Sequence, residues 1–140
     1  MTPLQEKTAA ELKRDEGRKT RPYQDSKGIW TVGYGTNLTA GSLSEAAISQ
    51  MLMDRLLDVE TACLALPIWP ELSEARKGVL LNMGYNLGFA GLMGFREMYA
   101  ALEAGDYQAA AREMLDSKWA RDVGARADRL AKRMEEDQWI

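Results

Sequence analysis

Residues 21–36 cannot form a good helix, and that exclusion shapes everything around them. Pro22, Gly28, Gly33 and Gly35 interrupt any helical run there. Proline lacks an amide donor, and glycine loses the most backbone freedom on ordering. The remaining residues favour strands. Tyr23 and then Ile29-Trp30-Thr31-Val32 are strand formers, with Asp25-Ser26-Lys27-Gly28 as the turn between them. A small antiparallel hairpin, and nothing larger, is expected. Helical periodicity lies on both sides of it, so the expected fold is α+β and mainly helical.

Upstream, Thr2-Pro3-Leu4-Gln5 reads as a capping box with proline in the first turn. This helix is expected to reach Glu16 and stop at Gly17. Leu4, Ala9, Leu12 and Glu16 fall on one stripe, which predicts an inward-facing Glu16 at the last turn. Downstream, Ser42 or Ser44 can cap a long helix with the apolar stripe Ile48, Met51, Leu52, Leu56, Val59 and Cys63. It should end near Leu66, before Pro67-Ile68-Trp69-Pro70. A helix of that length suits a strut in a single domain. It would join a small lobe near 17–41 to a helical lobe near 67–140 that includes the N-terminal helix. Further helices are expected from Ser73 to Leu87, Phe95 to Ala104, Asp106 to Ser117 and Ala125 to Glu136, with a glycine-rich turn over 88–94. Neither a repeat nor a low-complexity linker interrupts them.

Composition narrows the chemistry. The chain has no histidine, which excludes Ser-His-Asp and Cys-His catalysis and histidine metal sites. Acid–base work near neutral pH must fall to carboxylates, tyrosine, lysine or the single cysteine, Cys63. Cys63 sits at helical core spacing and reads as a buried thiol. A net charge of −3 carries no nucleic-acid signature. Residues 112–133 nevertheless hold seven basic and four acidic side chains. That segment reads as a solvated helical face, or as one turned to an anionic polymer. No apolar run approaches the roughly 18 residues of a membrane span.

The strongest local constellation is Glu16, Asp25 and Thr31. Glycoside hydrolysis needs two carboxylates, one protonated and one ionised. Burial beside apolar neighbours and a helix C-terminus both favour the protonated form of Glu16. Asp25, in a polar turn, has neither influence. Thr31 on the returning strand can help Asp25 hold a water.

The surrounding motifs carry a resemblance. Asp15-Glu16-Gly17, Tyr23-Gln24-Asp25 and Gly28-Ile29-Trp30-Thr31-Val32-Gly33-Tyr34-Gly35 resemble the catalytic block of the phage-type lysozymes, a glycoside hydrolase family. The spacings of nine residues from Glu16 to Asp25 and six to Thr31 are the family's. Leu81-Asn82-Met83-Gly84-Tyr85-Asn86-Leu87-Gly88 is similar to the family's central helix. Gly94-Phe95, Ser117-Lys118-Trp119, Arg126-Ala127 and Trp139 continue the likeness. The region from about 36 to 73 looks shorter and divergent.

The resemblance implies a lysozyme-like fold with a cleft between two lobes. It implies Glu16 as proton donor, Asp25 as the residue that positions water or stabilises an oxocarbenium ion, and Thr31 as support for that water. Arg126 matches an arginine that pairs with the catalytic glutamate and opposes its protonation. Tyr85 matches an aromatic lining the saccharide cleft, and Gly35 and Asn37 fall at the cleft edge. Asn82 matches a buried, structural asparagine. The family often has histidine where Thr36 stands, and its saccharide-contacting positions are held here by Met98 and Glu113. Trp30, Trp69, Trp119 and Trp139 could stack on sugar rings, but spread out as they are, most read as core or lobe anchors.

The expected activity is that of a phage endolysin. It would cut peptidoglycan between N-acetylmuramic acid and N-acetylglucosamine, as a monomer and without metal or cofactor. The lack of a signal core leads to an expectation of synthesis in the host cytoplasm and release to the wall through a holin-type pore. The alternatives are a lytic transglycosylase acting on the same bond and a non-catalytic wall-binding module.

Overall fold

The computed structural model describes residues 1–140. The chain divides into two units, Met1–Glu45 and Ala46–Ile140.

The first unit opens with α1 (Pro3–Glu16). Gln5 N donates to Thr2 Oγ1 at 3.2 Å, and Thr2 N donates to Gln5 Oε1 at 2.8 Å. The capping box therefore forms as expected and satisfies amides that a helix start would orphan. Gly17, at φ 71°, ends the helix. One expectation fails here. No residue of α1 is buried, and Glu16 is exposed rather than turned into a core. The cause lies in composition: α1 has seven charged residues but only two large apolar ones, Leu4 and Leu12.

Three strands follow: β1 (Lys19–Gln24), β2 (Trp30–Gly33) and β3 (Thr36–Asn37). They pair antiparallel in chain order. The expected hairpin is present, with a third strand beyond it. Gly33 and Gly35, at φ 70° and 81°, make that return possible, because this tight reversal needs left-handed backbone on both sides of Tyr34. Tyr23 pairs with Thr31, and Thr31 with Asn37, so the three form one cross-strand row.

The second unit is helical. It contains α2 (Glu45–Leu64, its first residue belonging to the first unit), a 3-10 turn at Trp69–Glu71, and α3 (Glu74–Met93). Then come α4 (Arg96–Glu103), α5 (Tyr107–Leu115), α6 (Lys118–Val123) and α7 (Ala125–Glu136). Ser73 and Asp106 cap α3 and α5 by accepting from Arg76 N and Ala109 N.

Two departures concern glycine and serine. The expected turn over 88–94 is largely helix: Gly88, at φ 77°, kinks α3, which then resumes to Met93. Glycine in a helix costs about 1 kcal/mol relative to alanine. Full burial of Leu92 in the resumed turn offsets that cost. The short helix α6 was not expected. Ser117 Oγ accepts from Ala120 N at 3.0 Å, and the signal for α6 was this capping serine.

The core lies in the second unit, where α7 packs on α3, α5 and α6, and α4 packs on α5. Val79, Leu80, Met83, Leu92, Met98, Met114, Leu130 and Met134 are almost completely buried. Each such Leu or Met contributes about 1.5–3 kcal/mol. The methionines suit the uneven spaces between crossing helices. The predicted stripe of α2 is buried only at Val59 and Cys63, while Ile48, Met51 and Leu52 stay exposed. Val59 is where α2 meets α3 closely: a Cβ on Gly84 would lie 2.6 Å from Val59 Cγ1. No helix is long and apolar enough to cross a membrane.

Cys63 is fully buried, as its spacing predicted. Burial, aided by Glu60, pushes its thiol up to about 11 from 9.0. The folded protein is therefore expected to react with a thiol reagent at pH 8 about 100-fold more slowly than the urea-unfolded chain. Equal rates would show that the thiol is accessible. The folded state holds this proton more tightly, so the thiol's contribution is complete below pH 9 and is lost as pH rises towards 11.

Candidate active site

Asp25 is held by the turn it begins. Its Oδ1 accepts from Lys27 N at 2.8 Å and from Ile29 N at 2.9 Å. Its amide donates to Ile29 O, and its carbonyl accepts from Gly28 N, both at 2.9 Å. Aspartate closes such turns because its short carboxylate reaches amides two residues on. The side chain is thus fixed through one oxygen, and Oδ2 takes no hydrogen bond.

Thr31 lies on the central strand and is only 5% exposed. Its Oγ1 donates to Ile29 O at 2.9 Å. That commits the hydroxyl proton and leaves the lone pairs as acceptors. Asp25 lies just past β1, where its amide bond to Ile29 O continues the β1–β2 pairing one step beyond Gln24 and Trp30. The turn that fixes its carboxylate therefore ends two residues before Thr31.

Asn37 completes the row. Its Oδ1 accepts from Thr39 N, Thr39 Oγ1 and Ala40 N at 2.8, 2.9 and 3.1 Å. Only its amide NH2 remains to contact a ligand. Gly35 ties the sheet to α1: at φ 81°, a Cβ there would stand 3.0 Å from Glu16 Oε2. Glycine serves both the backbone angle and the approach of the carboxylate. Glu16, Asp25, Thr31, Gly35 and Asn37 all belong to Met1–Glu45.

Tyr85 and Arg126 belong to the helical unit. Arg126 donates from Nε to Asn82 Oδ1 at 2.9 Å and from Nη2 to Asn82 O at 3.3 Å. Asn82 is half-buried rather than fully buried, and its side-chain oxygen is satisfied by this contact. Arg55 lies 4.9 Å from the centroid of the Tyr85 ring and covers one aromatic face. Tyr85, Asn82 and Arg126 line a cavity of about 320 Å³. Met98 and Glu113 line a second cavity of about 710 Å³ with Phe95, Lys118 and Trp119. Met98 is almost wholly core, so it presents little to a ligand.

The tryptophans divide. Trp69 and Trp119 are buried anchors, as expected, whereas Trp30 and Trp139 are exposed. In the basic segment, Arg112, Lys118, Arg121, Arg129 and Lys132 are exposed, but Arg126 is half-buried and Arg133 buried. Sequence reasoning missed Arg55 and Arg133, since exposed and buried arginines look alike along one helix.

A family model described as phage lysozyme matches residues 13–137, from before Glu16 to beyond Arg126. The chain belongs to the phage lysozyme family. The observed α+β, mainly helical architecture agrees with that membership. An endolysin of Salmonella phage P22 is 34% identical over 115 residues, covering 74% of this chain and 75% of that protein. An endolysin of Acyrthosiphon pisum secondary endosymbiont phage 1 is 27% identical, covering 84% and 80%. The pre-baseplate central spike protein Gp5 of Enterobacteria phage T4 is 25% identical over 85% of this chain. The chain spans only 26% of that spike protein.

Proposed function

We propose that this phage lysozyme family member hydrolyses the β-1,4 bond between N-acetylmuramic acid and N-acetylglucosamine in bacterial peptidoglycan. The observation that carries this reading is Asp25, fixed through Oδ1 with Oδ2 open, in the turn that leads into the strand of Thr31. Glu16, against Gly35, protonates the glycosidic oxygen as the bond to the anomeric carbon breaks. Asp25 Oδ2 takes a proton from the attacking water or stabilises the oxocarbenium charge. Thr31 Oγ1, its own proton given to Ile29, accepts the water's other hydrogen. We assign Arg126, held by Asn82, to catalytic support. The Asn37 amide, the Gly35 backbone and Tyr85 are assigned to the saccharide. This route uses no metal or cofactor.

We assign the protein the role of a monomeric endolysin, made in the host cytoplasm and acting on the wall after release. The names of the two endolysin relatives support that role.

Product analysis tests the reaction. Hydrolysis adds one water per cut and leaves reducing muramic acid ends, whereas anhydro-muramyl ends would establish a transglycosylase instead. Asp25→Asn keeps an oxygen for Lys27 and Ile29 but loses the charge. It should slow clearing of permeabilised Gram-negative cells by about 10²-fold or more, with an unchanged melting temperature. Full activity would remove Asp25 from the mechanism.

A further inference from the structure

Trp30 departs from the expected role of an anchor. It stands on β2, the central strand of the sheet, and is 48% exposed. The pairing defines its surroundings. Gln24 pairs with Trp30 on one side, and Leu38 N donates to Trp30 O at 2.8 Å on the other. Cross-strand partners share a face, so Gln24, Trp30 and Leu38 form one row. Successive strand residues alternate, so this row lies on the face opposite to Tyr23, Thr31 and Asn37. All three members of the Trp30 row are exposed. The sheet therefore holds the row of Thr31 on one face and an open aromatic row on the other. Neighbouring exposed apolar side chains of this kind mark interaction surfaces more often than a lone one does.

Charge in this part of the chain is uneven. Residues 17–44 carry four bases, Arg18, Lys19, Arg21 and Lys27, against one acid, Asp25. The segment is net +3 in a chain of net −3. All four cations are exposed, and none forms an ion pair. The one acid is engaged by the amides of its own turn.

We infer that the Trp30 face of the sheet is a second, non-catalytic binding surface for an anionic glycan strand. A flat indole suits the C–H face of a pyranose ring, since both are apolar and planar enough to stack. The Gln24 amide, one strand away, offers donors and an acceptor to hydroxyl or acetamido groups. Strands lie about 4.8 Å apart, so the row spans roughly 10 Å, the length of about two sugar units. Charge complementarity selects the kind of glycan: the four cations favour a strand that carries carboxylates, as peptidoglycan does on its peptides, over a neutral one. The choice of polymer rests on the glycosidase reading, but the surface shares no side chain with that site.

The test pellets Glu16→Gln, in which cutting is blocked, with purified Gram-negative sacculi and with chitin, an uncharged polymer. Binding to sacculi should saturate, exceed binding to chitin at low salt, and weaken as salt rises. Adding Trp30→Ala should weaken it by about 10-fold. Trp30→Tyr keeps a ring, guards against a folding failure in the alanine variant, and should stay within about 3-fold of its parent. In the otherwise unaltered chain, Trp30→Ala should slow the digestion of sacculi several-fold and leave kcat/KM for a soluble peptidoglycan tetrasaccharide unchanged. A fragment that short, held at the row of Thr31, cannot also reach the opposite face. Equal loss on both substrates would place Trp30 in the fold or the catalytic site and overturn the inference. It is equally overturned if the chain does not pellet with sacculi, or if Trp30→Ala pellets as its parent does. A chain that binds sacculi through Trp30 but releases no reducing ends would sink the glycosidase reading and leave this surface standing.

Discussion

Glu16→Gln is expected to slow clearing of permeabilised Gram-negative cells by about 10²–10⁴-fold, the range that a positioned proton donor supplies. Glutamine has nearly the shape of glutamate but no acidic proton. The side chain it replaces is exposed at the last turn of α1, so little packing is at risk. Stability should change little. The expected signature is therefore a dead enzyme with an unchanged melting temperature. Clearing at the wild-type rate would sink the assignment of Glu16 as the acid, and an inactive variant that also melts early would point to a structural role.

The largest expected effect on stability belongs to Trp119→Ala, at about 3–5 kcal/mol. Trp119 is the buried anchor of the six-residue helix α6. Its ring meets Phe95 edge-on, with centroids 6.0 Å apart at 87°. Such a pair contributes about 0.5–1.5 kcal/mol beyond the area it buries. The indole also donates to Asn86 Oδ1 at 2.9 Å. Domains of this kind are stable by about 5–15 kcal/mol, so alanine removes a large share of the total. Trp119→Phe should cost far less, near 1 kcal/mol for the hydrogen bond, because exposed Asn86 can turn its oxygen to water. Urea unfolding at constant slope measures both variants. A loss below about 1 kcal/mol for the alanine variant would show that α6 is held by something other than this ring.

The helix boundaries were legible wherever a cap lies within three residues of the amide it serves. Thr2 with Gln5, Ser73 with Arg76 and Asp106 with Ala109 all do so, and each interaction is complete within its own turn. The hairpin was legible for the same reason, since the Asp25 carboxylate reaches amides only two and four residues ahead. Family membership was legible because the Glu16, Asp25 and Thr31 spacings and the helical motifs persist along the chain.

Other features depended on partners distant in sequence or on packing. The glycines of 88–94 read as a turn until burial of Leu92 made a resumed helix worth its cost. Ser117 read as a helix end, and it is the packing of Trp119 that makes it a helix start. The stripe of α1 promised a buried Glu16, but two leucines are too little apolar surface to bury a helix of seven charges.

By itself, then, the sequence determined the α+β class, the capped helix starts, the turn that holds Asp25 and the set of residues able to do acid chemistry. All of these rest on interactions between near neighbours or on residue identity. Only the tertiary structure decided that Asn82 engages Arg126, that Gly35 admits the Glu16 carboxylate, and that Arg133 is buried under Trp139 without an acceptor. Those outcomes depend on which groups meet after the chain has closed, and burial then sets the cost of each unpaired charge.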